Sequence, residues 1–307
     1  MKKLSLLAVL ILAACTTAYT QEEIANRLAS PAWMIQRQIP AGAFSLTAYE
    51  RIHDERGDFA DVYIEGDGKA WTSRTEISRN PTPSNPVALH MATRDDAENV
   101  IYLARPCQYG GFFNNGRPCD RSYWTYWTDK RFAPEVISAY NAALNEIKAR
   151  YGIKGFNLIG FSGGGAIAAI LSAQRDDVLT LRTVAGNLDH KVHSAYHKVA
   201  PLTGSLNPPD FAPRLRAVPQ IHFVGGQDEI VPPAVVQSYL QALGPNNCAQ
   251  SQLIQESTHD KGWVDKWPEL LKIRPSCAGQ VEGEPAFDPM PPEVDNFYTS
   301  PEQPEKP

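Results

Sequence analysis

The chain has 307 residues and a formal net charge of −5, and the position of that charge decides what it means. The segment from Val281 to Pro307 carries seven acidic residues against Lys306 alone, so without it and the leading Lys2 and Lys3 the body lies near −1. A nearly neutral body removes the case for a nucleic-acid partner. Roughly 250 residues remain between the two ends, which fits one large domain rather than two.

Residues Met1 to Cys15 read as an export signal and not as a transmembrane helix. Lys2 and Lys3 give a positive start, and Leu4 to Ala14 is apolar but too short to cross a bilayer. The end of this segment, Leu12-Ala13-Ala14-Cys15, resembles the lipobox of bacterial lipoproteins. That resemblance implies that residues 1–14 are removed, that Cys15 carries the lipid, and that the protein is held on a membrane through it, since several acyl chains on one residue suffice for stable anchoring. Thr16 stands where aspartate would signal inner-membrane retention, which points to the outer membrane, facing the periplasm. The alternative is a plain secretory signal with an incidental cysteine. Residues 15–43 then read as a tether and lead-in segment.

Strand and helix signals alternate from there on, predicting an α/β fold with a mostly parallel central sheet flanked by helices over residues 44–280. Phe44 to Tyr49 and Asp61 to Glu65 are the first predicted strands, Pro86 to Thr93 is a short helix, and Asn99 to Leu103 is a buried strand. The clearest helix opens at Pro134, where a missing N–H does no harm, and stops at Gly152. It sets Val136, Ile137, Tyr140, Leu144 and Ile147 on one face. The apolar run before Gly160 is the next strand, followed by strands at Leu179 to Ala185 and Ile221 to Val224. A helix over Val235 to Leu243, a last strand at Gln252 to Gln255 and a closing helix over Val264 to Leu271 complete the series. No internal repeat is present. Seven prolines among the acidic residues of 281–307 predict a disordered tail.

Beyond Cys15 there are four cysteines, Cys107, Cys119, Cys248 and Cys277, which allow three pairings. In an exported protein the sequence-local choice, Cys107 with Cys119 and Cys248 with Cys277, is the expected one, against free buried thiols. No C-x-x-C spacing favours a metal.

The chemistry concentrates at Gly160-Phe161-Ser162-Gly163-Gly164, directly behind the strand Phe156-Asn157-Leu158-Ile159 and ahead of a small-residue run. A serine on so tight a strand-to-helix turn needs neighbours nearly free of side chain, and Gly160 and Gly164 supply them. A serine nucleophile also needs a base and a carboxylate to orient that base. Asp228, in Gly225-Gly226-Gln227-Asp228-Glu229-Ile230-Val231-Pro232, follows one late strand, and His259 follows the last one. With these three loops in the order Ser, acid, His, the chain resembles the α/β-hydrolase superfamily. The resemblance implies Ser162 as nucleophile, Asp228 as acid and His259 as base. It also implies an oxyanion hole formed by the N–H groups of Gly163 and Asp67, the latter in a loop with Glu65 where the superfamily has histidine. A carboxylate there is tolerable only if it points away or pairs with a cation such as Lys69, Arg74 or Arg105.

Rivals exist for each role. Asp228 could merely cap the following helix, and Asp189 stands where some lipases carry their acid. His222 reads as a satisfied core residue within a strand. His190, His193 and His197 match helical metal-ligand spacing only loosely and belong rather to a small cap insertion over about 187–213, expected to set substrate choice. The loop from Arg105 to Gly111 and the cluster Tyr123 to Trp127 read equally as a wall of the site or as core. The sequence thus predicts a lipid-anchored serine hydrolase cleaving ester or related acyl bonds of a small-molecule or lipid-like substrate, with no cofactor and no metal. A non-catalytic envelope lipoprotein using the fold for binding, or a peptidase of the same superfamily, are the alternatives.

Overall fold

The computed structural model describes residues 19–277, apart from 55–56, 74, 111–118, 120 and 247. The export signal, Cys15, Arg74 and the acidic tail therefore lie outside the described residues. Eight strands form one sheet: β1 (Ile35–Ala41), β2 (Phe44–Ile52), β3 (Phe59–Ile64), β4 (Asn99–Leu103), β5 (Gly155–Phe161), β6 (Val178–Val184), β7 (Gln220–Gly225) and β8 (Ala249–Ile254). Their order is β1-β2-β4-β3-β5-β6-β7-β8. Only β2 runs against its neighbours; the other pairings are parallel.

Helices cover both faces, which is why the central strands are apolar almost without interruption. Successive side chains of a strand point to opposite faces. Val62, Leu158 and Leu181 join α3 (Pro134–Tyr151), α4 (Gly163–Gln174) and α7 (Pro233–Leu243) in one core cluster. Tyr63, Ile159 and Phe223 join α1 (Gln21–Ala29), α2 (Val87–Ala92) and α8 (Trp267–Leu271) in the other. Two short helices, α5 (His190–His197) and α6 (Ala212–Leu215), lie between β6 and β7. Chain connections leave β3 and β5 in opposite directions, β3 leading through α2 to β4 on one flank and β5 through α4 to β6 on the other. Loops at the carboxyl ends of β3 and β5 therefore part and leave a crevice, the usual ligand position in open α/β sheets.

One expectation is corrected. Residues 15–43 are not only a tether, because α1 and β1 lie within them and β1 pairs with β2 from Ile35–Glu50 to Ala41–Phe44. Thr20 and Glu23 cap α1 reciprocally, and the Tyr49 hydroxyl donates to Asn26 Oδ1 at 2.9 Å, docking the helix on β2. The edge position of β1 is what tolerates Pro40 inside a strand. The closing helix is also shorter than expected and starts at Trp267. The structure brings Cys107 to Cys119 and Cys248 to Cys277, with Cα separations of 5.4 and 3.9 Å. Among the described residues no helix is long and apolar enough to cross a membrane.

Candidate active site

Ser162 sits between β5 and α4 with φ 51° and ψ −120°, a left-handed conformation that costs energy in any residue with a side chain. Its glycine neighbours make the turn possible. A Cβ on Gly160 would stand 2.4 Å from the Gly164 carbonyl oxygen, and one on Gly164 would stand 2.2 Å from that of Ile64. The hydroxyl is thereby held at the carboxyl end of the sheet.

His259 Nε2 lies 3.0 Å from Ser162 Oγ, and its Nδ1 lies 2.9 Å from Asp228 Oδ2. The Asp228 side chain is fully buried. A carboxylate only accepts, so Nδ1 carries the hydrogen and Nε2 is left to accept from the serine hydroxyl. Each partner is fixed from outside the triad. Asp228 Oδ1 accepts the N–H groups of Ile230 (2.9 Å) and Val231 (2.8 Å). The Trp263 indole N–H donates to the carbonyls of Thr258 and His259, at 2.9 and 3.0 Å, and clamps the base loop.

The rivals lie elsewhere. Asp189 caps α5 and accepts from Lys191 N, Val192 N, Asn207 Nδ2 and Ser238 Oγ, out of reach of His259. His222 is buried between Thr183 Oγ1 (2.8 Å) and Gln220 Oε1 (3.1 Å), and burial lowers its pKa to about 3. His193 and His197 pack at a tilt of 55° with ring centroids 4.7 Å apart, and His190 packs on Phe132. Among the described residues no group of three or more His, Cys, Asp or Glu side chains is placed to hold a metal.

The loop after β3 faces the elbow. Glu65 is buried and turned away from Ser162: its Oε1 accepts the Gly66 N–H at 2.8 Å and its Oε2 accepts the Tyr102 hydroxyl at 3.2 Å. Burial raises its pKa to about 7 despite these donors. Asp67 differs. Its Oδ1 accepts from Arg105 and its Oδ2 from Arg131, both at 2.7 Å, and the two guanidiniums hold its pKa at about 2 against the opposing effect of burial. Arg105 is among the cations expected from the sequence to pair with Glu65, but it pairs with Asp67 instead; Lys69 makes no such pair, and Arg131 was missed. It lies 64 positions from Asp67, and no local pattern links them. The N–H groups of Gly163 and Asp67 donate to no other protein group among the described residues.

These loops enclose a cavity of about 730 Å³ that contains Ser162 and His259. Its walls come from Trp71, Val87, Arg131, His193 and Ile230. The 123–127 cluster does not reach it: Trp127 is buried with its indole N–H on Ser78 O, and Tyr126 packs edge-on against Phe44.

The sheet order, the elbow and the loops after β7 and β8 together define the α/β-hydrolase fold. Solved structures agree on this point. Est1E from Butyrivibrio proteoclasticus, with ferulic acid bound, superposes with a TM-score of 0.56 at 13% identity over 77% of this chain and 96% of its own. An esterase from Pyrococcus furiosus gives 0.52 at 13% identity, over 79% and 92%. A puromycin-hydrolyzing peptidase from Mycobacterium tuberculosis gives 0.55 at 14%, over 78% of this chain and 38% of that one. At such identities the likeness is one of fold, and esterases and a peptidase share it. No protein-family model and no curated protein matches the sequence.

Proposed function

We propose that the protein is a serine hydrolase that cleaves esters or related acyl bonds through an acyl-enzyme. The observation that carries this reading is the unbroken line from Asp228 through His259 to Ser162, with contacts of 2.9 and 3.0 Å on a strained, glycine-flanked turn. In this reading His259 takes the hydroxyl proton as Ser162 Oγ attacks the carbonyl carbon, then returns it to the leaving group. Asp228 holds the imidazole in the required tautomer and stabilises the imidazolium. The N–H groups of Gly163 and Asp67 receive the oxyanion, which a neutralised Asp67 side chain permits and an unpaired one would oppose. The chemistry needs no cofactor.

The protein is further proposed to be exported and anchored through lipid on Cys15, with a small or lipid-like acyl substrate. The lipobox-like Leu12 to Cys15 supports this. So do two cysteine pairs at bonding distance, which suit an oxidising compartment. A fluorophosphonate probe tests the catalytic part: it should label the wild type and not Ser162→Ala, whose thermal stability should be nearly unchanged, since alanine keeps the Cβ and with it the strained turn. Labelling of the alanine variant would place the nucleophile elsewhere. Cys15→Ser should release the protein from the membrane fraction or leave it uncleaved, and continued membrane retention of a cleaved form would refute the anchor.

A further inference from the structure

We infer that the cavity beside Ser162 selects esters bearing a second, anionic group, a carboxylate, and that Arg131 is the residue that receives it. The inference rests on the hydrolase reading above and names the substrate class for that site.

The argument starts from a charge imbalance in the cavity wall. Asp67 offers one negative charge and two oxygens, each taken by a different guanidinium at 2.7 Å. The cluster of Asp67, Arg105 and Arg131 therefore keeps a surplus positive charge. Arg105 is enclosed: its side chain is 4% exposed and outside the cavity lining, its other terminal nitrogen donates to the Arg131 carbonyl, and its Nε is buried without a partner among the described residues. Arg131 is not. Its Nε donates to Thr128 O and its Nη1 to Asp67, while Nη2 bonds to no described residue. The side chain retains 16% exposure and lines the cavity. Lys69 lies at the same rim, exposed and without an ion-pair partner among the described residues.

The other ionisable groups facing the cavity do not cancel this. Glu65 is turned into the protein by Gly66 and Tyr102. His193 is neutral at pH 7, burial having lowered its pKa to about 4. Asp260 is exposed at the mouth, on the His259 side. A planar guanidinium with free N–H groups in a partly water-excluded wall is suited to a carboxylate, to which it gives charge-assisted hydrogen bonds. Trp71, Val87, Phe161 and Ile230 supply apolar surface for the hydrocarbon joining that carboxylate to the ester. The volume of about 730 Å³ accommodates both ends of such a molecule.

Two series of fluorophosphonates, with arms of four and six carbons ending in a carboxylate or in its methyl ester, provide the test on the full-length protein. The readout is the ratio of Ser162 labelling rates for each charged and capped pair, so any general disturbance of the oxyanion loop cancels. The carboxylate member of at least one pair should label about tenfold faster. Arg131→Gln should bring that ratio close to one, Arg131→Lys should keep part of it, and Lys69→Gln should lower it about threefold, because an exposed, screened charge contributes less. Equal rates within both pairs on the wild type would overturn the anionic substrate, a preference that survives Arg131→Gln would overturn the assignment to Arg131, and either would leave the nucleophile standing. Failure of every probe to label the wild type would overturn both.

Discussion

Two segments meet at the reacting centre, and they are held by opposite means. The elbow from Gly160 to Gly164 is fixed by absence: its neighbours approach so closely that no Cβ fits at Gly160 or Gly164. The loop from Glu65 to Gly68, which faces it, is fixed by charge and hydrogen bonds, with Glu65 drawn inward to Tyr102 and Asp67 outward to two arginines. The residues that permit the steric fit are local, each glycine two positions from Ser162, even though Gly164 meets the Ile64 carbonyl at the end of β3. Electrostatic fixation is remote, with partners 38 and 64 positions away. One half of the site therefore tolerates no added atom, while the other tolerates no uncompensated charge.

The largest effect should come from the carboxylate that orients the base. Asp228→Asn presents an amide to His259 Nδ1 and favours the wrong tautomer, so turnover should fall roughly ten-thousand-fold. Asp189→Asn removes an acceptor for Ser238 Oγ but no contact to His259, so turnover should stay within a few-fold while stability drops by about 1 kcal/mol. Steady-state kinetics on any ester that is turned over, with thermal melts of both variants, decide the matter. The reverse pattern would move the acid to the end of β6.

The steric half can be probed one glycine at a time. A Cβ on Gly164 meets the Ile64 and Glu65 carbonyl oxygens at 2.2 and 2.6 Å, and Ile64 is locked in β3 between two parallel partners. Gly164→Ala should cost about 3 kcal/mol or more and leave little folded protein. A Cβ on Gly163 meets Asp67 Oδ1, Cγ and Oδ2 at 2.2, 2.7 and 2.9 Å, side-chain atoms rather than backbone, but ones tied to two arginines. Gly163→Ala should fold, with a cost of about 2 kcal/mol as those ion pairs are strained, and displace Asp67 and slow Ser162 labelling. Equal melting temperatures for the two alanine variants would mean that the elbow is not held by close backbone approach.

The same contrast explains what the sequence could disclose. Ser162, Asp228 and His259 each sit in a short local pattern at a strand end, and the structure brings all three together. Glu65 was recognised as a departure from the superfamily loop and Asp67 as its N–H donor, but the opposite environments of their side chains depend on Tyr102, Arg105 and Arg131, which no spacing rule connects to them. Arg131 was invisible for that reason. The omission of α1 is different, because Thr20 and Glu23 already form a capping-box pattern ahead of its apolar positions, a signal that was present and unused. β1 was hidden by Pro40 and by weak alternation, as befits an edge strand with one side unpaired.

Glu65 and Asp67 also predict two pH windows of opposite sign, which sharpen the electrostatic side of the comparison. Burial raises the Glu65 pKa from 4.5 to about 7. The unfolded chain then loses its proton first, so stability should fall as pH rises between about 4.5 and 7, by about 3 kcal/mol in total. Asp67 is depressed from 3.8 to about 2. Its contribution is complete above about pH 4 and is lost as pH falls toward 2, amounting to about 2 kcal/mol. Urea unfolding from pH 2 to pH 8 reads both. Glu65→Gln keeps the shape and can still accept from Gly66, so it should match the wild type near pH 5 and exceed it by about 2 kcal/mol at pH 8. Arg105→Gln removes one of the two cations on Asp67, so its acid loss should begin at higher pH than in the wild type. A wild-type curve that is flat from pH 4.5 to 7 and identical in Glu65→Gln would mean that Glu65 is already ionised in the folded protein, and the inward hydrogen bonds from Gly66 and Tyr102 would then be stabilising a charge rather than a neutral acid.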